Sequence, residues 1–208
     1  LPACVTNQPI LFVVRSQYRP DHHNTASFYP AAAYEHNDGY FQPGGALKRL
    51  DAASGAVQVI LETTTGVIRD PEVSFDGTRI LFSMRKDADD SYHIYEIGAD
   101  GTGLRQITSM ADVDDLDPIY LPTGRIVFTS TREPKYIQCN KHISANLYAM
   151  DADGANVHQI ARSALFEDHA CLMPDGRILY SRWEYVDRNF GDAQGLWTCD
   201  PTGTGHAI

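Results

Sequence analysis

A repeated segment dominates this sequence and restricts the folds that the chain can adopt. Three stretches align with one another: DPEVSFDGTRILFSMR from Asp70, DPIYLPTGRIVFTSTR from Asp117 and HACLMPDGRILYSRW from His169. They share turn glycines at Gly77, Gly124 and Gly176, and a weaker copy, PILFVVRS, precedes them near the start of the chain. Sequence repeats of this kind are typical of arrays in which each unit buries its apolar face against its neighbours.

Each repeat is predicted to form four short strands. Apolar runs such as Ile80–Phe82 and Ile94–Ile97 are bounded by Asp-Gly turns, which supply the positive φ of tight hairpins. We expect strands near 79–84, 93–98 and 103–108, with equivalents near 125–130, 145–151 and 156–161. This pattern predicts an all-β fold, a β-propeller with about four four-stranded antiparallel blades.

The repeats divide the sequence into four units within a single propeller domain. They span approximately 1–62, 68–109, 115–162 and 167–208. Because the sequence begins within the first strand of one repeat and ends in the last strand of another, we expect this domain to be incomplete at both ends, with a compact four-bladed closure as the alternative.

The charge balance excludes several classes of partner. The chain has 17 Lys and Arg against 27 Asp and Glu, a formal net charge of −10. It lacks the basic surface that phosphate-backbone binding requires, so nucleic acid is not an expected partner. The longest apolar runs, such as Ile10–Val14, are too short to cross a bilayer, so membrane insertion is not expected. The sequence leaves open the disulfide state of Cys4, Cys171 and Cys199.

Three equivalent residues are expected to converge at one mouth of the propeller channel. Asp70, Asp117 and His169 each lie seven residues before a first-turn glycine, at the inner strand of their repeat. An Asp before Pro can accept backbone N–H bonds and fix the connection between blades. His169 replaces this Asp, and with Glu167 and Asp168 it resembles, weakly, a base with an orienting group.

The long loops between second and third strands are expected to reach the same mouth. They carry Cys139 and His142 in the third repeat and Asp21 and His22 in the first. Thiolate and imidazole at Cys-x-x-His spacing suit zinc, so these four residues and His169 are the candidate metal ligands. The alternative is an ordered loop with a buried cysteine and a capping histidine. No residue is identified as catalytic.

Two further patterns have structural interpretations. The acidic run at 112–117 is more typical of a solvated connector than of a calcium loop. The aromatic residues at the equivalent third-strand positions, Tyr95, Tyr148 and Trp197, are expected to lie in the core between blades.

The repeat pattern also resembles a known family. The series DPxxSxDGxxIxFxSxR followed by LYxxDxDGxxxxQIT resembles the TolB-type, WD-like propeller repeat, and FVVRSQYRPDHHNTASF and RWEYVDRNFGDAQGLW are similar to the propeller of hydrazine synthase alpha subunit-like proteins. This resemblance implies that the chain is a fragment of a ring of about six or seven blades and that the protein is exported to the periplasm. It also implies a zinc-like site beside the channel, carried by Asp21, Cys139 and His169 and less directly by His142. Covalent haem is not expected because the chain has no CxxCH.

These features favour an extracytoplasmic binding or scaffold module with a metal-capable channel mouth. Its expected partner is a protein or a redox subunit, and Tyr185 and Phe190 are candidates for that contact. One alternative is part of the active site of a multi-subunit redox enzyme. Another is a TolB-like interaction propeller without metal. For this chain alone, the sequence favours a non-catalytic role.

Overall fold

The computed structural model describes residues 8–16, 42–136, 143–184 and 194–208, and every regular element within these ranges is a β-strand. The strands form four antiparallel sheets, which we number blades 1 to 4 along the chain. Within the same ranges no helix is long and apolar enough to cross a membrane.

The strand bounds follow the sequence repeat. Blade 1 contains β1 (Ile10–Arg15), β2 (Gly45–Leu50) and β3 (Val57–Thr63). Blade 2 contains β4 (Val67–Val73), β5 (Arg79–Arg85), β6 (His93–Gly98) and β7 (Arg105–Gln106). Blade 3 contains β8 (Asp115–Tyr120), β9 (Ile126–Ser130), β10 (Asn146–Met150) and β11 (His158–Gln159). Blade 4 contains β12 (Phe166–Leu172), β13 (Ile178–Trp183) and β14 (Gln194–Cys199).

The predicted strands and the all-β class are confirmed, with two differences in detail. The fourth strands of blades 2 and 3 are only two residues long. The terminal blades have three strands each among the described residues: β1 matches the second strand of the other blades, and a bridge between Thr198 and Ala207 marks the fourth-strand position of blade 4. The blades follow one another in an open series, since each inner strand packs against the preceding blade.

The hydrophobic core lies between the blades. One cluster joins Leu47 of blade 1 to Phe82 and Tyr95 of blade 2, and similar clusters join blades 2 and 3 and blades 3 and 4. The predicted core role of Tyr95 and Tyr148 is confirmed, and each ring packs against an aromatic ring of the neighbouring strand, with centroids 5.9 and 6.1 Å apart. Trp197 is partly buried against the cluster between blades 3 and 4.

The outer hairpins provide a second contact between blades. A Cβ atom added at Gly154 would lie 2.7 Å from the carbonyl oxygen of Ile107 in the preceding blade, and one at Gly203 would lie 2.6 Å from that of Ile160. Both glycines have positive φ, at 91° and 79°. Glycine at this turn therefore serves two purposes, the left-handed backbone and the close approach of the next blade.

Candidate functional site

The inner strands of blades 2, 3 and 4 carry a bulge at the same repeat position. At each bulge two residues of the inner strand lie opposite one residue of the second strand. The first bulged residues are Asp70, Asp117 and His169, with left-handed φ values of 53°, 49° and 52°. Asp and His tolerate this conformation better than most residues, so the strained position can carry a polar side chain. The bulge thus places one polar side chain at the equivalent inner-strand position of each of these three blades.

Asp70 links two blades through its carboxylate. Oδ2 of Asp70 pairs with Nε of Arg69 at 2.6 Å and accepts a long hydrogen bond, 3.4 Å, from the backbone N–H of Asp117. Arg69 is buried, and its guanidinium lies over the ring of Tyr92 at 5.8 Å. The predicted role of Asp70 in fixing the blade connection is confirmed.

His169 forms an ion pair with the residue before it. Its Nδ1 lies 3.0 Å from Oδ1 of Asp168, which is buried, whereas the His169 ring is about half exposed. The Asp168 carboxylate is the main reason that the pKa of His169 is raised to about 9, against the opposing effect of burial, and Asp117 and Asp70 add to the rise. The Asp168 carboxylate therefore favours the protonated form of the His169 imidazole.

Asp117 is the third residue at the bulge position, and neighbouring charges shift the pKa of its carboxyl. Burial raises the pKa of its carboxyl, and the charge of Asp70 raises it further, whereas Arg69 and His169 lower it. Asp70 and Asp117 meet through the 3.4 Å hydrogen bond from the Asp117 backbone N–H, and the charges of both Asp70 and His169 act on the pKa of the Asp117 carboxyl. The bulge positions of successive blades therefore influence one another electrostatically through carboxylates, a guanidinium and an imidazole.

The other predicted metal ligands fall outside the described residues. They are Asp21, His22, Cys139 and His142, and the candidate partner contacts Tyr185 and Phe190 also lie outside these ranges. Within the described part of the chain, no three His, Cys, Asp or Glu side chains are grouped so as to hold a metal ion. Cys171 and Cys199 are free thiols, exposed and buried respectively.

The interpretation of the acidic run as a solvated connector is wrong for two of its members. Asp114 accepts a hydrogen bond from the backbone N–H of Tyr92 at 2.8 Å, and burial raises the pKa of its carboxyl to about 7. Asp115 is fully buried, pairs with Arg132 at 2.8 Å and accepts a hydrogen bond from Ser130 Oγ at 2.6 Å. These carboxylates are structural links between strands and between blades.

Glu167 occupies the position of Asp115 in the next blade. It is fully buried, accepts a hydrogen bond from Asn146 Nδ2 of blade 3 at 2.9 Å and lies 3.3 Å from Nη1 of Arg182. Burial raises the pKa of Glu167 to about 7, although Arg182 and Asn146 lower it. The sequence analysis did not predict the buried carboxylates Asp115 and Glu167. Their only signal in the sequence is an acidic residue two positions before both Asp117 and His169.

Comparison with solved structures identifies the fold. The chain is similar to hydrazine synthase of Kuenenia stuttgartiensis, with a TM-score of 0.72, 20% identity and coverage of 97% of this chain and 31% of that chain. It is also similar to TolB from Acinetobacter baumannii, with a TM-score of 0.59, 20% identity and coverage of 78% and 37%. A third similar structure is an oligogalacturonate lyase in complex with manganese, with a TM-score of 0.57, 18% identity and coverage of 96% and 49%.

The sequence itself gives no family assignment beyond this. No protein-family model matches the chain, and no curated protein sequence matches it. The chain spans less than half the length of each of the three solved chains described above. At these identities the comparison establishes the fold, and the chain is an open fragment of a β-propeller of the kind found in TolB and hydrazine synthase.

Proposed function

We propose that this chain is the binding and scaffolding segment of an extracytoplasmic β-propeller, and that its channel mouth binds zinc through His169. The observation that carries the proposal is the pair formed by His169 Nδ1 and the buried Asp168 carboxylate, 3.0 Å apart. A histidine that binds zinc usually donates its other ring N–H to a carboxylate or carbonyl, which fixes the ring and raises its basicity. In this chain the carboxylate lies on the Nδ1 side of the His169 ring, so the proposal assigns Nε2 to the metal.

The remaining ligands of the proposed site come from the long loops. Ser130 at the end of β9 pairs with Asn146 at the start of β10, and Asn146 bonds to Glu167, two residues before His169. The loop that carries Cys139 and His142 therefore begins and ends beside the strand that carries His169. Asp21 and His22 belong to the equivalent loop of blade 1, between β1 and β2. A thiolate, imidazoles and a carboxylate form a donor set that suits tetrahedral zinc.

Zinc in such a site can hold loops together or act as a Lewis acid. The first role suits a scaffold for a protein partner or redox subunit. The second role suits the alternative function, a contribution to the active site of a multi-subunit redox enzyme. The likeness to hydrazine synthase over 97% of this chain supports that alternative. An extracytoplasmic location is proposed from the sequence resemblance to exported propellers.

Metal analysis of protein purified without a histidine tag tests the proposal. We expect stoichiometric zinc in the wild type, loss of zinc in the double variant Cys139→Ser, His169→Ala, and retention in the control His158→Ala, which changes an exposed residue of β11. Replacement by cobalt should give a thiolate charge-transfer band that disappears in Cys139→Ser. Wild-type zinc content in the double variant would overturn the metal site.

A further inference from the structure

The four methionines of the chain differ in their exposure to solvent. Met150 in β10 is 0% exposed, and Met84 and Met173 are partly buried. Met110 lies in the connection from β7 to β8 and is 51% exposed. This connection joins blades 2 and 3, each of which packs against a blade on both sides. Because oxidants attack accessible thioethers first, Met110 is the methionine that a peroxide in solution should reach most readily.

The sulfur of Met110 lies against the guanidinium of Arg132. Nη1 of Arg132 donates a hydrogen bond to Sδ of Met110 at 3.0 Å, and Nη2 pairs with Oδ2 of Asp115 at 2.8 Å. The Asp115 carboxylate is fully buried, and the Arg132 side chain, which lies over the ring of Phe128, is only 16% exposed. One guanidinium thus joins an exposed thioether to a buried carboxylate of the inner strand β8.

The hydrogen bonding of Arg132 is weak on the side of Met110. A thioether sulfur is a weak acceptor, and among the residues that the structure describes no acceptor lies at the buried Nε of Arg132. In blade 4, the arginine that pairs with the equivalent buried carboxylate, Glu167, is Arg182, and its second acceptor is the carboxylate of Glu184. A stronger acceptor in place of the thioether would therefore suit the Arg132 guanidinium.

We propose that Met110 is a reversible oxidation site and that Arg132 holds the oxygen of its sulfoxide. A sulfur lone pair attacks one oxygen of hydrogen peroxide, the O–O bond breaks, and the other oxygen takes the proton of the attacked one and leaves as water. The sulfur is oxidised and the peroxide is reduced. Thiols, acting through a methionine sulfoxide reductase, remove the oxygen as water and restore the thioether.

The expected consequence is a tighter connection between blades 2 and 3. Rotation about the flexible Met110 side chain brings the sulfoxide oxygen to Nη1 of Arg132. A hydrogen bond from a charged donor to this polar oxygen is stronger than the present contact with sulfur. Oxidation of a methionine in a core disrupts packing, whereas oxidation of exposed Met110 should stabilise the fold.

Peptide mass spectrometry after limited treatment with hydrogen peroxide tests the site in the folded 208-residue chain. We expect Met110 to be oxidised about tenfold faster than Met150, with Met84 and Met173 between them, since susceptibility follows exposure. The control Met110→Leu should lack the fast phase and leave the other three rates unchanged. Equal rates at all four methionines, or slower oxidation of Met110 than of Met84 and Met173, would overturn the assignment of this site.

Thermal unfolding before and after this limited oxidation tests the contact with Arg132. The Tm of the wild type should rise by ~2–4 °C, the scale of one added hydrogen bond in a chain of this length, and methionine sulfoxide reductase should reverse the rise. Arg132→Lys keeps a cation beside Asp115 but has no second arm, so oxidation of Met110 should give it no gain.

Two variants decide the same point without a change at Arg132. Met110→Gln carries a permanent amide acceptor and should have a higher Tm than Met110→Leu without any peroxide. Peroxide should leave the Tm of both variants unchanged. A lower Tm of the wild type after oxidation, an equal gain in Arg132→Lys, or equal Tm values for Met110→Gln and Met110→Leu would overturn the proposed contact.

Discussion

The carboxylate of Asp70 accepts a hydrogen bond from the backbone N–H of Asp117, across 3.4 Å between the same bulge position of successive blades. The same oxygen pairs with the buried guanidinium of Arg69 at 2.6 Å. One side chain thus sets the spacing of two inner strands and neutralises a buried charge. The polar groups at the bulge position are therefore part of the junction between blades.

Removal of the Asp70 charge should destabilise this junction. Asp70→Asn keeps a residue that tolerates the φ of 53° but leaves Arg69 without its nearest carboxylate. Breaking a buried ion pair from one side typically costs about 3 kcal/mol, so we expect a loss of that order in the free energy of unfolding. Urea denaturation checks the value, with Asp89→Asn on an exposed loop as the control. Equal stability of the two variants would contradict the role of Asp70.

The close approach of the outer hairpins predicts unequal effects of alanine at two glycines. Gly77→Ala meets no atom within 4 Å and should cost only the left-handed backbone penalty, about 1 kcal/mol. Gly154→Ala carries the same penalty and also brings a Cβ to 2.7 Å from Ile107 O. Overpacking of this kind adds roughly 1–3 kcal/mol. Thermal unfolding of both variants checks the difference, and a smaller loss for Gly154→Ala would show that the junction is looser than described.

Buried Glu167 predicts a specific pH dependence of stability. Its pKa rises from 4.5 to about 7 on folding, so the folded chain keeps a proton that the unfolded chain has lost within this window. Stability therefore falls as pH rises from about 4.5 to 7, by roughly 3 kcal/mol for this group. Glu167→Gln should flatten that fall, whereas Glu62→Gln on the exposed part of β3 should not. Unfolding in urea at pH 5 and pH 7 measures both slopes, and an unchanged slope in Glu167→Gln would refute the assignment.

The pair of His169 and Asp168 predicts the direction of a titration. Asp168→Asn removes the main cause of the raised pKa of His169, which should fall from about 9 towards the ordinary histidine value of about 6.5. Nuclear magnetic resonance of the imidazole signals measures this pKa. A pKa of His169 that stays near 9 in the variant would assign the shift to Asp117 and Asp70 instead.

The repeat made much of the fold predictable from sequence. Hairpin turns such as the one at Gly77 are local, and apolar residues such as Ile80 and Phe82 need only a periodic pattern to be assigned to strands. The structural equivalence of Asp70, Asp117 and His169 followed from the same register. The short fourth strands could not be predicted, because their ends depend on packing against the neighbouring hairpin rather than on local propensity.

The buried ion pairs of the acidic residues were harder to predict. Acidic residues such as Asp115 and Glu167 have the composition of a solvated connector, and their burial depends on partners distant in sequence, Arg132 and Arg182. Only the three-dimensional junction shows that these carboxylates are paired. The bulge conformation shared by Asp117 and His169 likewise could not be predicted from the sequence, because it depends on the pairing register with the second strand.

Anomalous scattering from crystals grown with zinc tests the proposed channel-mouth site most directly. Data collected on both sides of the zinc absorption edge should give a single strong peak about 2.0 Å from Nε2 of His169, the usual zinc–nitrogen distance, with Cys139 Sγ about 2.3 Å from the same peak. The His169→Ala crystals should lack it. A peak away from His169, or no peak at the channel mouth, would contradict the assignment of this site as a metal centre.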